Sequence, residues 1–374
     1  MGRRLGSCDC KGVRGTYNRG TGAGKILSNE DDELPLTEED AGASMMPRAF
    51  AAGEMVACEA CLRANPPTRM SCLYCGAALP VGESGQDLRR PALRALETWE
   101  QGFNVVLVPQ AAGDLSVDSL SEAASLLRLE AGQLREMLGA GAHLPLARVG
   151  SREEAALVER KLRALGFEVE TVADEVLGVE THGPKRIRKL EIGVDALWGW
   201  ASAESEAERF EWAEIALLVV GRIARKRIEV EERRGGRRTD AEVIETREFQ
   251  TDESVLDLYV AGSVVNWRIM AENFDYSCLG ASKGLTAAEN FKRLTETLGE
   301  RASSAAFDDS YRSVRAFLKF AWPLAEQTEA GSLKRVRPGR YNAEAVTNVT
   351  NETQFTRYGR LLHYFQLRSR PTTT

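Results

Sequence analysis

The stretch FNVVLVP, residues 103–109, is a short apolar run rich in β-branched residues, and this composition predicts a buried strand. Leucine and alanine then recur at helical spacing over residues 116–129, where Ser116 is placed to cap the helix, and a second helix follows directly. Residues 143–149 are predicted to form a second strand, and Pro145 within them favours an edge position in the sheet.

Residues 151–154 read S-R-E-E, a capping box that predicts a third helix, which Gly166 ends. Residues 167–172 alternate as a third strand. This order, together with the segments LLRLEAGQLREML and SREEAALVERKLRALGFEVETV, resembles the C-terminal domain of the bacterial ribosomal stalk protein. The resemblance implies a small βααβαβ domain over residues 102–175.

The stalk family recruits translation factors through basic residues on its first helices. Two of these positions hold Ser121 and Ala124 in this chain. An acidic factor requires basic partners on that helix face. The resemblance therefore implies a shared fold without the factor-binding surface.

Upstream of this domain, four cysteines form two CxxC pairs separated by ten residues: Cys58, Cys61, Cys72 and Cys75. Each pair places two thiolates on one side of a tight turn, and two pairs complete a tetrahedron. A shell of four thiolates leaves no position open for water, so the metal would be structural. The spacing predicts one Zn²⁺ per chain, with a redox dithiol as the alternative.

The run over residues 55–80 resembles the zinc ribbon of bacterial multidomain proteins, through its CxxC pairs, its N-P-P and its C-L-Y-C-G segment. With Asn65, the C-x2-C-x3-N-x6-C-x2-C spacing is also similar to the Ran-binding-protein type of zinc finger. That family stacks RNA bases on a Trp two residues before its first cysteine, where this chain has Val56. Base stacking on aromatic rings supplies much of the energy of such binding, so RNA is the less favoured partner.

Residues 1–54 combine Gly, Arg and Ser clusters with an acidic patch and show no sustained hydrophobic period, which predicts disorder. Within them, GTGAGK at residues 20–25 is similar to a phosphate loop. It fails the pattern because Ile26 stands where a hydroxyl must hold Mg²⁺. A polar linker is predicted over residues 81–101.

From about residue 186 the pattern changes to long alternating segments that predict antiparallel strands, including residues 241–249, 254–260 and 265–278. Two helices are predicted to follow, over residues 286–298 and 308–320.

This order resembles a PH-like barrel, in which a seven-stranded sheet is closed by a C-terminal helix. The resemblance implies a β-rich domain with helices over residues 186–324. Residues 331–374 hold eight Lys or Arg against two Glu, and residues 325–374 are predicted to be a basic C-terminal tail. The expected fold class is therefore multidomain α+β.

The composition excludes several classes of protein. The formal net charge of −6 gives the whole chain no general attraction for nucleic acid. No run of about 20 apolar residues is present to span a membrane. Seven cysteines, four of them in CxxC pairs, fit a reducing compartment, so a cytoplasmic location is expected.

Catalytic signals are weak: no HExxH or GxGxxG motif occurs, and the three histidines have no suitably spaced partners. Residues 264–280 and 351–360 have unusually specific sequences to which no chemistry is assigned. The favoured interpretation is a non-catalytic adaptor or regulatory protein that binds another protein. Two alternatives stay open, namely RNA or DNA binding through the zinc ribbon and basic tail, and an unrecognised enzyme within residues 183–370.

Overall fold

The computed structural model describes residues 50–80, 89–97, 99–110, 115–179, 181–202, 204–235, 242–263, 265–337 and 340–369. The disorder expected of residues 1–54 lies outside the described residues, apart from the last few positions. The loop at residues 20–25 and part of the linker predicted over residues 81–101 also lie outside them. Residues 52–374 form one compact unit, which is the one described below.

The cysteine-rich segment contains very little regular structure. A 3-10 turn at Ala52–Glu54 precedes two strands of two residues each, β1 (Val56–Ala57) and β2 (Ala64–Asn65). These strands pair antiparallel, so they bring the start of the segment beside the chain that leaves the first cysteine pair.

The next elements follow the predicted order. They are β3 (Phe103–Leu107), α1 (Val117–Leu127), α2 (Ala131–Gly139), β4 (Leu144–Val149), α3 (Arg152–Ala164) and β5 (Val169–Ala173). The three strands form an antiparallel sheet in the order β4-β3-β5. A short helix, α4 (Asp174–Leu177), continues from β5. The βααβαβ order is thus confirmed.

Local signals account for the ends of these helices. The Ser116 side chain accepts a hydrogen bond from the Ser119 N–H at 3.0 Å, and Ser151 accepts one from the Glu154 N–H at 3.2 Å. Gly166 follows α3 with a φ of +91°, a left-handed conformation that suits glycine. The two caps and the terminating glycine are where the sequence predicts them.

One large sheet dominates the rest of the chain. Its strands are β6 (Lys185–Ile187), β10 (Ile215–Gly235), β11 (Glu242–Val260), β12 (Trp267–Met270), β13 (Ala306–Asp308), β14 (Ala325–Arg337) and β15 (Arg340–Thr350). The order is β14-β15-β10-β11-β12-β6, with β13 beside β10, and the sheet curls into a half-barrel.

Smaller elements cover this sheet. A separate three-stranded sheet contains β7 (Lys189–Ile192), β8 (Ala196–Trp200) and β9 (Glu208–Glu211). The helices are α5 (Ala287–Arg301), α6 (Tyr311–Leu318) and α7 (Glu352–Ser369), with 3-10 turns at Trp212–Glu214 and Tyr276–Ser282. The fold is mixed α+β, and the separate second sheet leaves the PH-like barrel unconfirmed.

Two strand predictions are wrong in their boundaries. The predicted break after residue 249 is absent, because β11 pairs with the similarly long β10 through the charged stretch around Asp252. The strand predicted over residues 265–278 ends at Met270. There the chain turns, and the Asp275 side chain accepts a hydrogen bond from the Ser277 N–H at 2.9 Å, which starts a 3-10 helix instead.

The basic tail predicted over residues 325–374 is also wrong. Residues from this region form β14 and β15, which extend the large sheet beside β10, and α7, whose inner face is buried. Arg357 and Arg360 are 3% and 5% exposed. A count of charges cannot show this, because it carries no information on which side chains the fold encloses.

The βααβαβ region shares its core with the chain that follows it. Val105, Leu146 and Val158 belong to the same apolar cluster as Trp322 and Phe355. The region over residues 102–175, for which the sequence predicts a small domain, is therefore packed against α6 and α7 and shares its core with them.

A chain of buried hydrogen bonds fixes this contact. The Trp322 indole N–H donates to the Asn104 Oδ1 at 2.8 Å, and the Trp322 carbonyl accepts from the Gln354 side chain at 2.8 Å. Asn104 in turn donates to the Asp174 carboxylate at 2.9 Å. All four side chains are at most 4% exposed, so β3, α4 and α7 are held together through Trp322.

Replacing Trp322 with phenylalanine should therefore destabilise the whole unit. The Asn104 oxygen would stay buried without its donor, which costs about 1–3 kcal/mol, and lost packing adds to this. Urea denaturation measures the change. Trp99 is 72% exposed, so Trp99→Phe is the matched control and should have little effect. Equal stability of the two variants would contradict the shared core.

Among the residues that the structure describes, no helix is long and apolar enough to cross a membrane.

Candidate metal centre

The four cysteines of the CxxC pairs lie together. Their sulfur atoms are all within 4.8 Å of one another, with Cys58 Sγ 3.6 Å from Cys75 Sγ and Cys61 Sγ 3.5 Å from Cys72 Sγ. A tetrahedral site with Zn–S bonds of about 2.3 Å has sulfur–sulfur edges of about 3.8 Å. The cluster thus has the dimensions of a four-thiolate metal site.

The two cysteine pairs sit in turns with the same hydrogen-bond pattern. The Cys58 N–H donates to the carbonyl five residues on, at Arg63, and the Cys58 carbonyl accepts from the N–H four residues on, at Leu62. Cys72 repeats both bonds, with Ala77 and with Gly76. The repeated pattern places each pair of thiols on one side of a tight turn.

The fifth position of each turn has a left-handed backbone. Gly76 adopts a φ of +74° and Leu62 a φ of +60°. Glycine has no steric cost there, whereas a left-handed leucine costs about 1–2 kcal/mol. Leu62 is also 82% exposed. The first turn therefore keeps the geometry of the site although the left-handed conformation is unfavourable for Leu62.

Asn65 connects the two turns. Its side-chain amide donates to the Arg63 carbonyl at 2.9 Å and to the Cys72 sulfur at 3.4 Å, and its Oδ1 accepts from the Leu73 N–H at 2.8 Å. The residue is fully buried. It orients Cys72 in the way that outer groups orient the ligands of metal sites.

The surroundings of the thiols affect their protonation differently. Burial raises the pKa of Cys72, but hydrogen bonds from the N–H groups of Tyr74 and Cys75 and from Asn65 outweigh it and lower this pKa to about 6. A backbone hydrogen bond at Arg63 lowers the pKa of Cys61, but burial and the other three thiols outweigh it and raise this pKa to about 12. The cluster thus favours a thiolate at one sulfur, and a cation is needed to hold all four deprotonated.

The donor set fits a structural metal ion. All four donors are thiols, the set that tetrahedral zinc sites use most, and Cys58 and Cys72 are buried. With four protein ligands there is no coordination position for a substrate or water. The chemistry that the site can supply is therefore cross-linking of the chain.

The two segments without an assigned chemistry, residues 264–280 and 351–360, meet in the interior. Arg268 of β12 is fully buried and donates two hydrogen bonds of 2.7 Å to Asp257 of β11, which is also fully buried. Arg268 further donates to Glu352 at 3.1 Å and to Thr356 at 2.9 Å, both on α7. Its guanidinium lies 5.2 Å from the centre of the Phe355 ring.

A second buried arginine extends this polar cluster. Arg360 donates to the carbonyl groups of Leu177 and His182, which joins α7 to the chain between α4 and β6. Burial lowers the pKa of Arg360, and burial also acts to lower the pKa of Arg268. Asp257 more than offsets it there and keeps the pKa of Arg268 above its ordinary value. These polar groups bond one another and the main chain, so the cluster holds α7 against the sheet.

The sequence contains one signal for this cluster. Arg268 interrupts the apolar run W-R-I-M, and a charged residue in the middle of a buried strand requires a buried partner. The identity of that partner follows only from the strand pairing, which sets Asp257 opposite Arg268. The sequence alone therefore does not predict the role of the Arg268 cluster.

Comparisons with known proteins give no relative: no family model, no curated protein and no solved structure matches the chain. The interpretation of function therefore depends on the geometry of the chain itself.

Proposed function

We propose that Cys58, Cys61, Cys72 and Cys75 hold one structural Zn²⁺ in a module similar to the zinc ribbon and to the Ran-binding-protein type of finger. We further propose that the protein is a non-catalytic cytoplasmic adaptor that binds another protein. The observation that carries the first proposal is the convergence of four thiols within 4.8 Å from two turns of identical hydrogen bonding. Thiolates in this arrangement favour zinc over the harder cations.

The way in which the polar groups of two clusters are partnered supports the adaptor role. The cysteine cluster has a full set of protein ligands, and in the second cluster Arg268 is paired with Asp257 and Glu352. Neither arrangement presents a group poised to react with a substrate. This favours an adaptor over an enzyme within residues 183–370.

Binding of nucleic acid is the second candidate, and one observation favours it. Tyr74 is 56% exposed on the cysteine module, with the Arg63 guanidinium 4.6 Å from its ring centre, a pair that could stack a base. The sequence predicts a basic tail that would assist nucleic-acid binding, but residues of that region form β14, β15 and α7 instead. Protein binding is therefore the better supported role.

Metal analysis tests the zinc proposal. Protein purified from cells without added metal should contain one zinc per chain. Cys278 lies in the 3-10 helix and belongs to no metal cluster among the described residues, so Cys278→Ser is the control and should keep its zinc. A zinc content near zero in the unaltered protein would overturn the proposal.

A further inference from the structure

The sheet of β4, β3 and β5 has two edges, and the fold treats them differently. On the β4 edge, Pro145 has no N–H to offer, every residue of the strand is buried, and α6 packs against it. The β5 edge is covered only at its start, where the Arg163 guanidinium donates to the outward-pointing Val169 carbonyl at 2.8 Å. Further along the strand, Glu170, Thr171 and Ala173 are each partly exposed. One edge of this sheet is thus open to another strand.

The main chain of β5 has hydrogen-bonding groups that point away from the sheet. The Asp174 N–H donates to the Gly102 carbonyl at 2.8 Å, and the Glu168 carbonyl accepts from Val108 at 2.9 Å. The main-chain N–H and carbonyl groups of even-numbered residues in β5 therefore point toward β3, and those of odd-numbered residues point away from the sheet. In the described part of the chain, Thr171 has no partner for its N–H or its carbonyl group.

A groove of about 380 Å³ runs along this open edge. Three consecutive residues, Thr171–Ala173, line it. Alternate side chains of a strand point to opposite faces, so three neighbours can share a groove only where the groove follows the strand edge. Ala156 of α3 lies on the wall of the groove, as do Val176 of α4 and Tyr364 of α7. We call this feature the β5 groove.

The β5 groove carries one uncompensated charge. Glu159 is paired with Arg163 at 2.7 Å, so its carboxylate is already neutralised. Arg152 lies over the Phe103 ring at 5.6 Å and has no carboxylate partner among the residues that the structure describes. It stands in the first turn of α3, where the helix dipole also favours an anion. A ligand with a negative group near Arg152 is therefore favoured.

We infer that the β5 groove binds an extended peptide segment of a partner protein, which joins the sheet as a fourth strand beside β5. Main-chain groups of the peptide bond Thr171, as in other cases of strand addition to an open edge. Its apolar side chains contact Ala156 and Val176, and an acidic side chain contacts Arg152. This inference rests on the adaptor function proposed above and names the chemical class of its partner.

Selection from a phage-displayed library of random linear peptides tests the inference on the full-length chain. The selected peptides should combine an alternating apolar pattern with an acidic residue. Fluorescence polarisation should show binding that is about tenfold or more weaker to Val176→Glu, because the new charge occupies the apolar wall. Val117 is 74% exposed at the start of α1, so Val117→Glu is the matched control and should bind as the unaltered protein does.

Hydrogen exchange gives a second readout that is specific to strand addition. On binding, exchange at the Thr171 and Ala173 amides should slow, because these N–H groups then donate to the peptide. The inference is overturned if no peptide is selected, if Val176→Glu binds as well as Val117→Glu does, or if these amides are unaffected. Cys72→Ser should keep the peptide binding, so failure of the zinc proposal can be told apart from failure of the groove.

Discussion

Replacing Cys72 with serine should reduce the zinc content from one per chain to near zero. Three thiols and a hydroxyl cannot close the four-thiolate shell, in which Asn65 orients Cys72, and the apparent binding energy of such sites is about 10–16 kcal/mol. Because few apolar residues form the core of the module, we expect the proposed zinc to supply most of its stability. The segment over residues 55–80 should therefore unfold, which loss of protection in hydrogen exchange would show.

The rest of the chain should melt almost unchanged in Cys72→Ser. The buried apolar residues of the module form a cluster of their own, separate from the two clusters of the main body. Hydrogen bonds connect it to the following chain at Arg89 and Arg90. A large drop in the melting temperature of residues 99–369 would mean that the module is part of the main core.

Replacing Arg268 with alanine should cost about 3–5 kcal/mol of the free energy of unfolding. The change leaves the Asp257 carboxylate buried without its partner, which is among the largest penalties a single substitution can cause. It also removes the bonds to Glu352 and Thr356 that hold α7. Chemical denaturation followed by fluorescence measures the loss.

The control for this prediction is Arg186→Ala. Arg186 also pairs with Glu352, at 3.0 Å, but its side chain is 56% exposed. Exposed pairs contribute at most about 1 kcal/mol, so this variant should stay close to the unaltered protein. If the two arginine variants lose the same stability, the Arg268 cluster does not have the role described for it.

A double variant separates the loss of charge pairing from the loss of packing. Exchanging Arg268 for methionine and Asp257 for leucine removes both charges together, and such exchanges of buried pairs are often near neutral. Part of the lost stability should therefore return. Recovery is incomplete because Asn266 and Tyr259 also bond the Asp257 carboxylate, at 2.8 and 3.4 Å.

The parts of the fold that the sequence predicts correctly depend on neighbours in the chain. Ser116 and Ser151 cap helices that begin within three residues, and the two CxxC pairs close turns of five residues. Signals of this kind need no knowledge of the tertiary structure. They predicted the βααβαβ order and the convergence of the four cysteines.

The parts that were missed depend on residues far apart in the chain. Trp322 bonds Asn104 across 218 positions, and Arg360 bonds the Leu177 carbonyl across 183. No periodicity or spacing encodes such contacts, so the sequence predicts a tail over residues 325–374, although residues 325–337 and 340–369 complete the sheet and the core. Charged residues in this region looked like a solvated surface because their buried partners are not local.

The measurement that tests the zinc proposal most directly is X-ray absorption at the zinc edge on protein purified without added metal. We expect one zinc per chain with four sulfur neighbours at about 2.3 Å. The spectrum should disappear in Cys72→Ser and persist in Cys278→Ser. A shell that contains nitrogen or oxygen, or zinc that survives the loss of Cys72, would contradict a site made of Cys58, Cys61, Cys72 and Cys75.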